Sequence, residues 1–328
     1  MSALLEWIRD CTGATRVHPG AHVQTLWRGY GSITRHRIEG ASTPSVIAKV
    51  VRPPPDGSGP GHVRKVRSYA VERTFYAASA QRVRPVARVP QALGARENND
   101  ESWLLIEDLD ISGFAARHRH LDADRLGACL DWLGAFHGTF IGQPIAQLWP
   151  RGTYWHLGTR SEELRRMTSG PLRDAAGPLD AALARCPMQT LLHGDPKPAN
   201  FCFPTLRGAP VAAVDFQYAG GGVGVVDVVY LLSCMPARWR VHHVDRAIDR
   251  YFVALRRHAG VQGATAEAAW RPLVDIAWAD LARFLAGWCG DDWSRDEDGA
   301  PRVRRAMDMV RNMASLSAPE TTEPPTAR

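Results

Sequence analysis

The sequence predicts an α+β chain, with a small sheet-plus-helix part first and a larger, mainly helical part after it. Three observations carry this reading. β-Branched and alternating stretches crowd residues 33–51 and 103–109, with one amphipathic helix between them at 63–80. Helical apolar periodicities dominate 122–140 and 244–288. Between these lie two short apolar runs, Leu191-Leu192 and Ala213-Val214, each leading into acid and amide groups. No internal repeat is present.

Taken in order, residues 2–10 read as a short helix with Leu4, Leu5 and Ile8 on one side. Residues 26–33 then lead into the alternating stretch 34–38. Gly29 and Gly31 there either let a hairpin approach a ligand's phosphates closely or serve simply as turn or bulge residues. Residues 45–51 form a β-branched strand that carries Lys49 among apolar neighbours. Burying a lone ammonium is costly, so Lys49 either snorkels to water or pairs with an anion. The Pro- and Gly-rich run 53–61 is a connector. Helix 63–80 counts Val66, Tyr69, Ala70, Phe75 and Tyr76 as apolar members and carries Glu72.

The strand at 103–109 turns polar at its end, and the boundary between the two parts falls near residue 110, giving 1–109 and 110–315. Asp122 caps a helix running to about Phe140, with Leu126, Cys129, Leu130, Leu133, Phe136 and His137 on one face. His137 therefore reads as a satisfied core histidine. Asp227 opens an apolar helix after the run Gly-Gly-Gly-Val-Gly at 220–224. Two strong periodicities follow, one from Val244 ending at Gly260 and one from Trp270 to Trp288. Another helix spans 301–314, and the Thr-, Pro-, Ala- and Glu-rich tail 316–328 reads as disordered.

Composition narrows the function classes. The chain has 328 residues, 45% hydrophobic and 23% charged, as in an ordinary soluble protein. Its N-terminus carries charges where a secretion signal needs an apolar core, and its best apolar run, 223–235, is broken by Asp227 and too short to span a bilayer. A cytoplasmic location follows as the expectation. Six scattered cysteines without a Cys-x-x-Cys pair argue against zinc or a disulfide framework and read as buried thiols. The net charge of +6 comes from dispersed arginines interleaved with acids, which argues against nucleic acid as a partner. Only three of the 40 basic residues are lysines, Lys49, Lys65 and Lys197. Where arginine fills nearly every basic role, a lysine marks a place needing a compact ammonium. Lys49 and Lys197 fall at candidate phosphate-contacting positions.

The chain is organised around His193-Gly194-Asp195-Pro196-Lys197-Pro198-Ala199-Asn200 and Asp215-Phe216-Gln217. Gly194 and the prolines deny the first segment a regular helix or strand, leaving a rigid loop that presents Asp195, Lys197 and Asn200. A hairpin returns Asp215 to the same place. One carboxylate to orient a hydroxyl, with an amide and a second carboxylate to hold magnesium, is the inventory of phosphoryl transfer. This ordered set resembles the signature of the aminoglycoside phosphotransferase and choline kinase superfamily, nearest its ecdysteroid-kinase-like branch, where Asp-Phe-Gln is common. The resemblance covers most of residues 26–290 and is tightest at 191–230. Gln217 departs from the glycine of protein kinases, and Pro196 and Pro198 stiffen the loop.

The resemblance implies a protein-kinase-like two-lobe fold and ATP- and Mg²⁺-dependent phosphorylation of a small-molecule alcohol. It makes Asp195 the catalytic carboxylate and Lys197 a partner for charge on the transferred group. Asn200 and Asp215 become metal ligands, and Glu72 holds Lys49 against the α- and β-phosphates. Gly29 and Gly31 cover the phosphates, the backbone at Glu107 and Leu109 reads the adenine edge, His193 braces the loop, and Asp227 accepts hydrogen bonds from it. Two rivals stand beside this: a Ser/Thr protein kinase, and a nucleotide-binding protein without turnover. The segment between Asp215 and Asp227 is too short for a long activation segment, and a pure binder needs no Asp195. For the acceptor, the loop 149–155, with Trp149, Tyr154 and Trp155, is expected to expose aromatic rings. The acid cluster is Asp291, Asp292, Glu297 and Asp298. A neutral, partly apolar alcohol ranks ahead of choline-like acceptors, and aminoglycosides rank last.

Overall fold

A computed structural model describes residues 2–98, 101–205, 210–290 and 299–316. The expected acid cluster at 291–298 and the tail beyond 316 lie outside the described residues.

The β-branched and alternating residues build a sheet where the sequence places it. Helix α1 (Ala3–Thr12) precedes β1 (Arg16–Val17), β2 (Ala21–Thr25), β3 (Gly31–Glu39) and β4 (Ser45–Val51). After α2 (Gly59–Ala78) and the short α3 (Ala80–Val83) come β5 (Ala92–Glu97) and β6 (Ser102–Glu107). The six strands form one antiparallel sheet in the order β1-β3-β4-β6-β5, with β2 also paired to β3. Strand β4 is central, and its Lys49 sits opposite Ile33 of β3 and Leu104 of β6. Helix α2 starts within the expected connector, with Pro60 in its first turn, where a missing N–H costs nothing. Its buried face is Ser68, Tyr69, Val71, Glu72, Phe75 and Tyr76. Val66, expected among the apolar members, is instead exposed at 36%.

The helical part begins with α4 (Ala123–Phe140), capped by the Asp122 carboxylate, which accepts from the Arg125 N–H at 2.8 Å. Helices α5 (Ser161–Arg166), α6 (Pro171–Asp174) and α7 (Ala176–Arg185) lead to β7 (Thr190–Leu192). Two small antiparallel pairings follow: β8 (Phe201–Cys202) with β9 (Ala212–Ala213), and β10 (Gly220–Gly222) back onto β7. Then come α8 (Val225–Ser233), α9 (Ala237–Trp270), α10 (Val274–Trp288) and α11 (Gly299–Leu316). Gly260, expected to end a helix, does break α9 with φ 54° and ψ −125°, but helix resumes directly beyond it. The second expected helix therefore starts at Val274, after a helical stretch the apolar pattern did not announce. Leu316, assigned to the tail, closes α11 instead.

The core of the helical part joins α4, α8, α9 and α10 around fully buried Phe136, Tyr251, Phe252, Trp270 and Trp278. Among the described residues no helix is long and apolar enough to cross a membrane. All six cysteines are free. Cys129, Cys186 and Cys202 are buried as expected, whereas Cys234 and Cys289 are exposed.

Candidate active site

Strand β7 delivers the loop that follows it. At Gly194 the backbone turns left-handed, φ 84°, and a Cβ there would lie 2.1 Å from the Tyr218 carbonyl oxygen, so only glycine fits. The fully buried Asp227 carboxylate, on α8, clamps the turn. It accepts from the His193 N–H at 2.6 Å and the Gly194 N–H at 3.0 Å, and lies 3.2 Å from Nε2 of His137. Nδ1 of that core histidine in turn meets the Tyr251 hydroxyl at 2.9 Å. His193 braces the loop from inside. Its Nε2 is 3.1 Å from the Val214 carbonyl, and its Nδ1 is 3.3 Å from the Asp195 N–H. Burial holds the His193 pKa below the usual imidazole range, so it sits there neutral.

Asp195 is 6% exposed. Its Oδ2 accepts from Lys197 Nζ at 2.6 Å and Asn200 Nδ2 at 3.2 Å, while Oδ1 is buried without a partner among the described residues. Burial pushes this carboxyl up to about 6; Lys197 opposes the shift and Asp215 adds to it. Asn200 spends its amide N–H on the Asp195 carbonyl, at 2.7 Å, which leaves its own Oδ1 free to accept or ligate.

The β8–β9 hairpin brings Asp215 beside this loop, and the Val214 N–H donates to the Asn200 carbonyl at 2.9 Å. Asp215 adopts φ 70°, an uncommon conformation for a non-glycine residue and one found where surrounding structure holds a functional group in place. Burial opposes its ionisation, yet Lys49, Lys197 and Lys65 together hold its carboxyl below the usual range. The next residue, Phe216, stacks on Phe75 of α2, ring centroids 3.8 Å apart. One turn before Phe75 on the same helix, Glu72 accepts from Lys49 Nζ at 2.5 Å in a pair buried on both sides. Burial pushes the Glu72 carboxyl up against the pull of Lys49.

Several expected positions behave differently. Gly31 packs so closely that a Cβ would lie 2.0 Å from the Val50 carbonyl oxygen, and Gly29 sits at φ 76° in the β2–β3 turn. The hairpin thus accounts for both glycines by itself. At the end of β6, the Glu107 side chain is engaged by Arg88, Arg84 and Ser112. The Glu107 N–H donates to the Gln91 carbonyl and the Leu109 carbonyl accepts from the Phe114 N–H. The loop 149–155 is irregular as expected, but its tryptophans are not presented to a ligand. Trp149 and Trp155 are 7% and 1% exposed, and Trp149 Nε1 donates to the Gln217 carbonyl at 2.9 Å. The loop is strapped to β10 through Trp149, Gly152 and Gly221. Tyrosines stand near Asp195 instead. The Tyr154 N–H donates to the Gly194 carbonyl at 3.2 Å, and its ring lies 5.4 Å from that of Tyr230 and 5.9 Å from that of Tyr218.

Lys65 was missed as a site residue. It extends from α2 to 2.7 Å from Gln217 Oε1, which also accepts from Ser68 Oγ at 3.2 Å. Burial pushes its ammonium down to about 8, against the pull of Asp215, Glu72 and Asp195. The only signal in the sequence was its rarity: all three lysines of an arginine-rich chain meet here.

The residues fit a magnesium-bound nucleotide. Among the described residues no three His, Cys, Asp or Glu side chains form a metal cage. Asn200 Oδ1 and the Asp215 carboxylate, neither hydrogen-bonded among the described residues, are the oxygen donors that would hold such an ion, with phosphates and water completing its shell. Comparison with known proteins bears on the family and the fold. The model of the phosphotransferase enzyme family (APH) matches residues 23–273. No curated protein matches the sequence. An amicoumacin kinase, hAmiN, solved with AMP-PNP, Ca²⁺ and Ami, is similar in fold at 12% identity and a TM-score of 0.52, covering 95% of this chain and 94% of that one. A microcompartment-associated aminopropanol kinase is similar at 14% identity and a TM-score of 0.52, covering 90% and 93%.

Proposed function

Because the chain belongs to the phosphotransferase enzyme family, we propose that it transfers the terminal phosphoryl group of ATP, with Mg²⁺, to a hydroxyl of a small molecule. The observation that carries this reading is the convergence of Asp195, Asn200, Asp215 and the Lys49–Glu72 pair at one place. A bound magnesium nucleotide supplies the transferable phosphoryl group. The free Asp195 Oδ1 accepts the acceptor's hydroxyl proton and aims its oxygen. Lys197 balances charge on the transferred group, and Lys49, fixed by Glu72, meets the inner phosphates. Asn200 and Asp215 hold the metal. Leu109, buried with Cys202 and Ala212, supplies an apolar floor and a backbone N–H for the adenine edge. On this reading residues 1–109 cover the nucleotide and 110–315 carry the catalytic loop and acceptor site, in the cytoplasm. The Asp215-Phe216-Gln217 triplet supports a place near the ecdysteroid-kinase-like branch.

The acceptor side supports a neutral, partly apolar alcohol, on grounds other than the buried tryptophans. Tyr154, Tyr218 and Tyr230 stand by Asp195, and Arg64 and Arg160 both act electrostatically on Tyr218. Such a wall repels a polycation. With Mg·ATP present, ADP release should be fastest with a partly apolar alcohol, slower with choline and slowest with kanamycin. Turnover confined to kanamycin would reverse the ranking. Turnover confined to proteins such as casein would favour a protein kinase.

A further inference from the structure

Helix α2 carries Lys65 two turns before Glu72, on the same face as the buried Ser68, Tyr69 and Glu72. The Lys65 and Lys49 ammonium groups both lie against the Tyr69 ring, 4.7 and 5.3 Å from its centroid. Lys65 hydrogen-bonds Gln217 Oε1 at 2.7 Å. Only one of its three donors is spent there, and the charges acting on it are Asp215, Lys49, Glu72 and Asp195. A helix lysine with no task in the cleft would extend its head to water, as the neighbouring Arg67 lies over Trp149 at an exposed position.

Resting on the nucleotide reading above, we propose that Lys65 is a third phosphate-binding ammonium, directed at the terminal phosphoryl group. Gln217 is its resting partner and holds it beside Asp215. Lys49 serves the inner phosphates from the sheet, Lys197 serves the acceptor side from the catalytic loop, and Lys65 closes the remaining side from α2. The competing role is a brace, in which Lys65 only ties α2 to the Asp215 loop through Gln217.

The two roles separate in nucleotide binding without turnover. Mg²⁺ complexes of ADP and of a non-hydrolysable ATP analogue are titrated calorimetrically into wild type, Lys65→Met and Lys65→Gln. Lys65→Gln removes the charge while keeping an N–H donor for Gln217 on a side chain one atom shorter. A terminal-phosphate contact predicts that both variants lose affinity for the triphosphate by about 10- to 100-fold while ADP affinity changes little, since a hydrogen bond to a charged group is lost. A brace predicts near-wild-type binding for Lys65→Gln, or equal weakening of both nucleotides in Lys65→Met; either result overturns the proposal. Failure of the wild type to bind either nucleotide overturns the underlying reading as well. Intact wild-type binding with an unchanged triphosphate preference in both variants overturns this inference alone.

Discussion

Replacing Asp195 by asparagine should make the protein more stable and nearly inactive at once. The carboxyl titrates near 6 instead of its ordinary 3.8, chiefly because it is buried. At about 1.4 kcal/mol per pH unit, keeping it ionised in the folded state costs roughly 3 kcal/mol. The sign follows from the raised value. Between about pH 4 and 6 the folded state holds a proton that the unfolded chain has lost, so stability falls as pH rises through this window and is flat above it. Asparagine removes that slope. Its advantage over wild type should therefore grow from pH 4 to 6 and level off above. Lys197 loses an anionic partner, but its side chain is 40% exposed and can turn to water, so the offset is small. A net gain of about 1–3 kcal/mol, or roughly 2–6 °C in melting temperature, is expected at pH 7. Calorimetric melts of both proteins from pH 4 to 8 measure it. Turnover should fall by about 10²–10⁴ with Mg-nucleotide binding retained. A variant less stable than wild type at pH 7, or a stability difference independent of pH, would refute the claim that Asp195 is kept ionised at a cost.

The other predictions separate the remaining roles. Asp215→Asn should weaken binding of the magnesium nucleotide itself, read by titration with and without Mg²⁺; an affinity loss matched by Asp195→Asn would mean that the two carboxylates are misassigned. Lys49→Arg keeps the charge but puts a wide fork where a buried ammonium meets Glu72 at 2.5 Å, and most kcat/KM should be lost; near-normal kinetics would remove Lys49 from the site. Asp227→Ala strands the His193 and Gly194 N–H groups and His137. It should cost about 3–5 kcal/mol in denaturant melts, whereas a loss under 1 kcal/mol would show that the loop holds its turn without the clamp.

What the sequence made legible were the features encoded within a few residues. Asp195 and Asp215 each come just after a short apolar strand, and Asn200 ends the Gly- and Pro-bearing loop that Asp195 opens. Their convergence needs only a hairpin, β8–β9, to close. Lys49 and Glu72 were legible because a lysine inside a β-branched strand demands an anion, and the following helix offers one. Lys65 was not. On a helix its local pattern matches that of a solvated lysine, and its meaning depends on Gln217, 152 residues away. The loop 149–155 failed for a related reason. Proline and glycine specify irregular backbone, not exposure, and it is the strap to β10 that turns Trp149 and Trp155 inward. Between Gly260 and Trp270 the apolar residues are one valine and small alanines, too slight for periodicity to announce a helix, yet the stretch packs Ala266 and Trp270 into the core.

These pieces also explain why one helix can set the geometry of the whole site. Glu72 of α2 fixes the lysine of the central strand. One turn on, Phe75 stacks on Phe216 and so places Asp215. In the other direction Ser68 and Lys65 hold Gln217, two residues past Asp215, and Arg64 donates to the Thr159 carbonyl on the acceptor side at 2.7 Å. Lys49, Asp215 and the Thr159 segment are thus all referenced to a single helix. Within the cleft, Lys49, Lys65 and Lys197 face Glu72, Asp195 and Asp215, so ammoniums and carboxylates balance before any ligand enters. A shift of α2 would break several of these contacts together. The left-handed backbone at Asp215, costly for a non-glycine residue, is held in place because helix and hairpin over-determine it.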